Sequence, residues 1–204
     1  MIALIDYKAG NLTSVKKALA TIGADVFVPE SPGDLAEASG IIVPGVGHFG
    51  ATRALDQSWI DAILARVGEG RPLFGICLGM QWLYEGSDEA PDCPGLGLFS
   101  GRCFRLGTVR LQPDRNIKVP HVGWNSLSIE RRMSIVEGVQ ANAQVYFTHS
   151  YAAPRSGETV AITEHGGAFT AIVQRGQVAG VQFHPEKSGD VGLRILRNFL
   201  ELVG

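Results

Sequence analysis

Leu73-Phe74-Gly75-Ile76-Cys77-Leu78-Gly79-Met80-Gln81 carries an apolar run into a turn flanked by glycines and out into a helical pattern. The apolar residues 73–76 suit a strand buried on both faces. The G-x-C-x-G spacing at 75–79 is the thiol counterpart of the G-x-S-x-G nucleophile elbow, a sharp strand-to-helix turn. Both glycines have a steric purpose there, because the residues two before and two after the nucleophile must let strand and helix pass. A thiol at such a turn lies where helix dipole and free amides favour thiolate. The amide of Leu78, next in the chain, is placed to donate to an oxyanion. Taken alone, the stretch also fits a buried structural cysteine between two incidental glycines.

Upstream of the elbow, short apolar runs alternate with helical patterns. Residues 2–6, 25–28 and 41–43 read as strands, the last ending at Pro44-Gly45. Leu12, Val15, Leu19 and Ile22 follow helical spacing behind Asn11 as an N-cap, and residues 59–67 form a second helical face. Such alternation predicts a parallel sheet with helices on both faces, joined by right-handed crossovers. Downstream the character changes. Residues 88–97 hold two prolines, two glycines and three acidic residues and read as a loop. Short β-like segments follow at 104–106, 145–147, 159–163, 171–173 and 177–183, the last two joined at Arg175-Gly176 as a hairpin. Residues 190–203 form a closing helix with Val191, Ile195, Leu196, Phe199 and Leu200 inward. The expected fold is a single α/β domain over residues 1–204: a central, mostly parallel sheet flanked by helices, with additional antiparallel strands in the C-terminal half.

Composition narrows the chemistry further. A chain of 204 residues buries enough surface to fold without disulfide or metal staples. A net charge of −2, with scattered Lys and Arg, gives no electrostatic case for nucleic acid or an anionic membrane. No apolar run approaches the roughly 20 residues of a membrane span, and the short run at the N-terminus lacks the basic leader of a signal peptide. Cys77, Cys93 and Cys103 are odd in number with no close pair, which suits a reducing compartment. The expected location is cytoplasmic.

Two other stretches complete a site around Cys77. Ala179-Gly180-Val181-Gln182-Phe183-His184-Pro185-Glu186 ends a strand on a histidine with a carboxylate two residues on. In an extended segment those two side chains point the same way, so Glu186 can hold one imidazole nitrogen while the other faces the thiol. His149, flanked by Thr148, Ser150 and Tyr151, is a rival base without such a partner. Ile41-Ile42-Val43-Pro44-Gly45-Val46-Gly47-His48-Phe49-Gly50 runs a strand into a glycine-rich loop. That loop is a phosphate-binding turn, a plain turn or, beside the elbow, a second oxyanion donor through Gly45 or Val46.

The glycine loop, the elbow at 75–81 and His184-Pro185-Glu186 together resemble the triad family of class I glutamine amidotransferases, which hydrolyse glutamine to glutamate and ammonia. The resemblance implies Cys77, His184 and Glu186 as catalytic residues and Gly45, Val46 and Leu78 as the oxyanion hole. It implies Gly47, Gln81, His149, Ser150 and Tyr151 as glutamine contacts, and it implies neither a metal nor an organic cofactor. Residues 6–12, Pro120-His121-Val122-Gly123-Trp124-Asn125 and Tyr146-Phe147-Thr148-His149-Ser150-Tyr151 resemble those members that serve a two-part synthase. Their partner is a cyclase subunit with a (β/α)8-barrel fold that receives the ammonia. On that basis Asn11, Trp124 and Tyr146 are candidates for the docking face, and the loop at 44–47 is expected to complete the oxyanion hole only with the partner engaged. Lys8 stands where the resemblance leads one to expect glycine. Three readings compete with this one. They are an amidotransferase subunit for anthranilate or pyridoxal phosphate synthesis, an independent hydrolase of γ-glutamyl bonds, and a silent binding module.

Overall fold

The computed structural model describes residues 1–107 and 117–204. The first half alternates as expected: β1 (Ile2–Leu4), α1 (Leu12–Thr21), β2 (Val26–Phe27), β3 (Gly40–Gly45), α2 (Gln57–Gly68), β4 (Leu73–Cys77) and α3 (Leu78–Trp82). Asn11 does cap α1, its side chain accepting from the Ser14 amide. Asp56 caps α2 through the amides of Ser58 and Trp59. Each cap satisfies donors that a helix start leaves without a partner.

The second half is built of β5 (Tyr84–Ser87), β6 (Phe99–Arg105), β7 (His121–Ser126), β8 (Ser128–Ile129), β9 (Gln144–His149), β10 (Tyr151–Ala152), β11 (Thr159–Glu164), β12 (Ala168–Arg175) and β13 (Val178–Val181), closed by α4 (Gly189–Val203). The main sheet has the order β2-β1-β3-β4-β13-β12-β11-β8. Its first five strands pair in parallel and the remaining three antiparallel. This is the expected mixed sheet. The hairpin at Arg175-Gly176 joins β12 to β13, and β13 lies beside the elbow strand β4.

Strand residues alternate between two cores. Ile2, Leu4, Ile42, Phe74, Ile76 and Val181 face α1 and α4, where Phe74 stacks on Phe199 with centroids 5.1 Å apart. Ala3, Ile5, Ile41, Val43 and Leu73 face the other way, onto Ile63 of α2 and Trp82 of α3. Burial on both sides is why these strands read as continuous apolar runs.

The structure departs from the sequence reading after Cys77. The helical run there lasts only five residues and gives way to β5. The carbonyls of Trp82, Leu83 and Tyr84 accept from the amides of Leu96, Phe99 and Gly97 in the returning chain, which ends the helix. Gly95 permits that approach, since a Cβ there would lie 2.0 Å from the Tyr84 carbonyl oxygen. The strand β7 was also unforeseen, because its mixed polar sequence lacks a period-two apolar signal. Among the described residues, no helix is long and apolar enough to cross a membrane.

Candidate active site

Cys77 ends β4 with φ 54° and ψ −107°, a left-handed conformation that costs about 1–3 kcal/mol in a residue with a Cβ. The two elbow glycines make the turn possible. A Cβ on Gly79 would lie 1.8 Å from the Val43 carbonyl oxygen, and one on Gly75 2.6 Å from the Met80 amide. The small-residue requirement is therefore a backbone-to-backbone approach. The helix dipole expected to favour thiolate is weak here, because aligned peptide dipoles sum along a helix and α3 has only five residues. What remains is the free amide of Leu78 at its first position.

His184 Nδ1 donates to Glu186 Oε1 at 2.8 Å, with both side chains only 2% exposed. The expected route to this contact was wrong. The strand β13 stops at Val181, and Pro185–Lys187 is a 3-10 turn, so strand alternation does not reach Glu186. Proline at the first position of the turn folds the carboxylate back onto its neighbour. His184 Nε2, engaged with no described residue by hydrogen bond, is the nitrogen left for Cys77. Burial works to lower the His184 pKa, but Cys77 and then Glu186 outweigh it and raise the imidazole to about 10.

Above the thiol lies a cavity of about 290 Å³ lined by Cys77, Leu78, Gly47, Gln81, His149, Ser150 and Tyr151. Residues called on from three separate stretches of sequence thus share one wall. The sequence reading missed three further lining residues, Glu89, Pro120 and Thr148. Glu89 sat in what read as a plain acidic loop; its Oε2 accepts from the Phe49 amide at 2.7 Å, which ties that loop to the glycine-rich one. A wider concavity of about 780 Å³ at residues 129–141 has no cysteine or histidine in its lining.

The glycine loop has a specific conformation. Gly45 pairs with Cys77 across β3 and β4, and a Cβ on it would meet the Tyr7 hydroxyl at 1.9 Å. The Val46 amide donates to the Ala9 carbonyl at 3.0 Å, so in this conformation it is not offered to an oxyanion. Gly47 has φ 99°, which a residue with a side chain rarely adopts. Lys8, one turn away, takes the glycine-like φ of 63°, held by Asp6, which accepts from both its amide and its ammonium.

The chain is similar to known proteins over its whole length. The family model for class-I glutamine amidotransferases matches residues 3–203. The chain belongs to the class-I glutamine amidotransferase family. One relative, imidazole glycerol phosphate synthase subunit HisH of Methanothermobacter thermautotrophicus, is 42% identical, covering 100% of this chain and 99% of its own. The protein of the same name in Halobacterium salinarum is 48% identical, covering 98% of this chain and 92% of its own. Among solved structures, a glutamine amidotransferase superimposes with a TM-score of 0.76 at 25% identity over the full length of both chains.

In this amidotransferase His149 is not free to act as the rival base. Its Nδ1 donates to the Tyr151 carbonyl at 2.8 Å, and its Nε2 lies 3.2 Å from His121 Nδ1. Burial, followed by the neighbouring histidines, pushes its pKa down to about 3. His121 in turn stacks on His165 with centroids 4.1 Å apart. No local pattern announces this cluster, whose members come from β7, β9 and the turn after β11. Among the described residues, no group of three or more His, Cys, Asp or Glu is placed to hold a metal ion.

The amidotransferase exposes an aromatic ridge beside this cluster. Trp124 is 57% exposed, which rules out core packing, and faces Tyr146 across the β7–β9 ribbon with rings 6.0 Å apart. Lys187 Nζ lies over the Tyr146 ring at 5.8 Å, one residue beyond Glu186. Asn11 is exposed at the start of α1, which packs against the Pro185–Lys187 turn.

Proposed function

We propose that this chain, taken over residues 1–204 as one amidotransferase domain, is the glutaminase subunit of imidazole glycerol phosphate synthase. It hydrolyses glutamine through a thioester on Cys77 and hands the ammonia to a (β/α)8-barrel cyclase subunit, which forms imidazole glycerol phosphate and AICAR in histidine biosynthesis. The observation that carries the chemistry is a left-handed Cys77 opening on a small cavity, served by a buried His184–Glu186 pair. The choice of member rests on full-length relatives named as that subunit. A cytoplasmic location belongs to the same reading and fits three free thiols.

The steps balance on the residues present. Cys77 sulfur attacks the side-chain amide carbon of glutamine, and the Leu78 amide stabilises the oxyanion. His184, protonated at neutral pH, gives its proton to the leaving nitrogen, and ammonia departs. Water then attacks the thioester while His184 takes its proton back, releasing glutamate and the free thiol. Glu186 holds the imidazole orientation throughout. Glu89, the carboxylate in the cavity wall, is suited to the α-ammonium of glutamine, while Gln81, Gly47 and the 149–151 segment shape the remainder.

Gly45 and Val46 complete the oxyanion hole once the loop rearranges. The Val46 amide must first leave the Ala9 carbonyl. Partner docking on Asn11, Trp124 and Tyr146 is the event that drives this, so the isolated subunit is nearly inactive. The test is glutamate release with and without the cyclase subunit and its nucleotide ligand. Strong stimulation is expected. Steady full turnover by the subunit alone would instead favour an independent γ-glutamyl hydrolase and sink the proposal.

A further inference from the structure

One buried side chain outside the triad touches the reacting sulfur. Gln182 follows β13, is fully buried, and places its Nε2 3.6 Å from Cys77 Sγ. Its orientation is determined by a chain of hydrogen bonds anchored on backbone. The Tyr151 carbonyl can only accept, so the Gln81 side chain must present its Nε2 there, at 2.8 Å. The second proton of that same nitrogen goes to Gln182 Oε1 at 3.1 Å. With its oxygen accepting, Gln182 has only its NH₂ group to offer the sulfur. His149 Nδ1 donates to the same Tyr151 carbonyl and locks it from the other side.

We propose that Gln182 is a further catalytic residue, whose carboxamide donates a hydrogen bond to Cys77 Sγ and holds the sulfur in its anionic form, aimed into the cavity. A hydrogen bond stabilises an anionic acceptor far more than a neutral one. The sulfur gains a neutral donor that stays in place throughout turnover, whereas the proton of His184 is given away and recovered. Gln81 has a second part under this inference, as the positioning residue that keeps Gln182 from turning its oxygen to the thiolate.

The inference rests on Cys77 being the nucleophile, and its test needs neither glutamine nor a partner. Alkylation of Cys77 by iodoacetamide is followed against pH by mass spectrometry of the Cys77 peptide. In Gln182→Met, which fills the space without a donor, alkylation at neutral pH is expected to slow about tenfold and the profile to move to higher pH. In Gln182→Leu, a second apolar replacement without a donor, the same slowing and the same displacement are expected. A merely structural role would lower the melting temperature and leave the profile in place. Profiles coinciding with the unaltered protein overturn the inference. If neither variant folds, the side-chain amide protons of Gln182 in the ¹⁵N-labelled unaltered protein decide: they must titrate together with Cys77, and resonances indifferent to it overturn the inference. Retained glutaminase activity in Cys77→Ala would sink the thioester reading itself, a different outcome from an unmoved alkylation profile.

Discussion

Cys77 shows how much a single residue asks of its surroundings. Its left-handed backbone is held by two glycines, a parallel strand on either side of β4, and the short helix that follows. Replacing Cys77 with Ala is expected to abolish glutamate release while leaving partner binding unchanged, read by a coupled glutamate assay and a binding titration. His184 carries a pH signature. Its pKa rises from an ordinary 6.5 to about 10 in the folded chain, so folding binds its proton more tightly than the unfolded chain does. That stabilisation is complete below about pH 6.5 and is lost as pH climbs through about 10. The difference in unfolding free energy between the unaltered chain and His184→Gln should therefore shrink over that range. A difference that stays constant from pH 6.5 to 10 would falsify the assignment.

At the scale of elements, the crossing of α3 over β3 is set by the contact of Gly79 with the Val43 carbonyl. Gly79→Ala forces backbone apart and is expected to cost at least about 1–3 kcal/mol, seen as a lower denaturation midpoint. The same shift moves the Leu78 amide, so activity should fall further than stability alone explains. The parallel strands were legible in sequence because they are buried on both faces and read as apolar runs. The loop at 44–47 was legible as glycine-rich, but its hydrogen bond from Val46 to Ala9 was not. That bond joins segments far apart in the chain, and no local pattern encodes it. The early end of α3 is of the same kind, since the returning residues 96–99 take the carbonyls of residues 82–84.

At the scale of the whole molecule, Cys77, the His184–Glu186 pair and the β7–β9 ribbon are gathered at one end of the sheet. The amide of His184 donates to the Tyr146 carbonyl, and the Ser188 hydroxyl accepts from the Tyr146 amide, so β9 is tied directly to the segment carrying His184 and Glu186. Under the proposed function, Trp124, exposed on that ribbon, is the candidate docking anchor. Trp124→Ala is expected to weaken cyclase binding by about 2 kcal/mol, roughly 30-fold in Kd, with the isolated chain's melting temperature unchanged. Calorimetric titration checks the first and thermal unfolding the second; equal affinity for both proteins would remove Trp124 from the interface.

The sequence alone determined the α/β class, the elbow and the pairing of His184 with Glu186, because each is written in residues close together whose sterics leave few choices. Glycines two positions either side of a cysteine admit a sharp turn, and a carboxylate two residues from a histidine can reach it in a strand or in a tight turn. Tertiary structure alone decided which turn it was. It also brought Glu89 into the cavity wall, linked His149 to His121, and aimed the Gln182 amide at Cys77. Those contacts join residues separated by tens of positions, and Gln182 and Cys77 by 105. Their geometry depends on how β4 and β13 pair and how the second half folds over them, which no local spacing records.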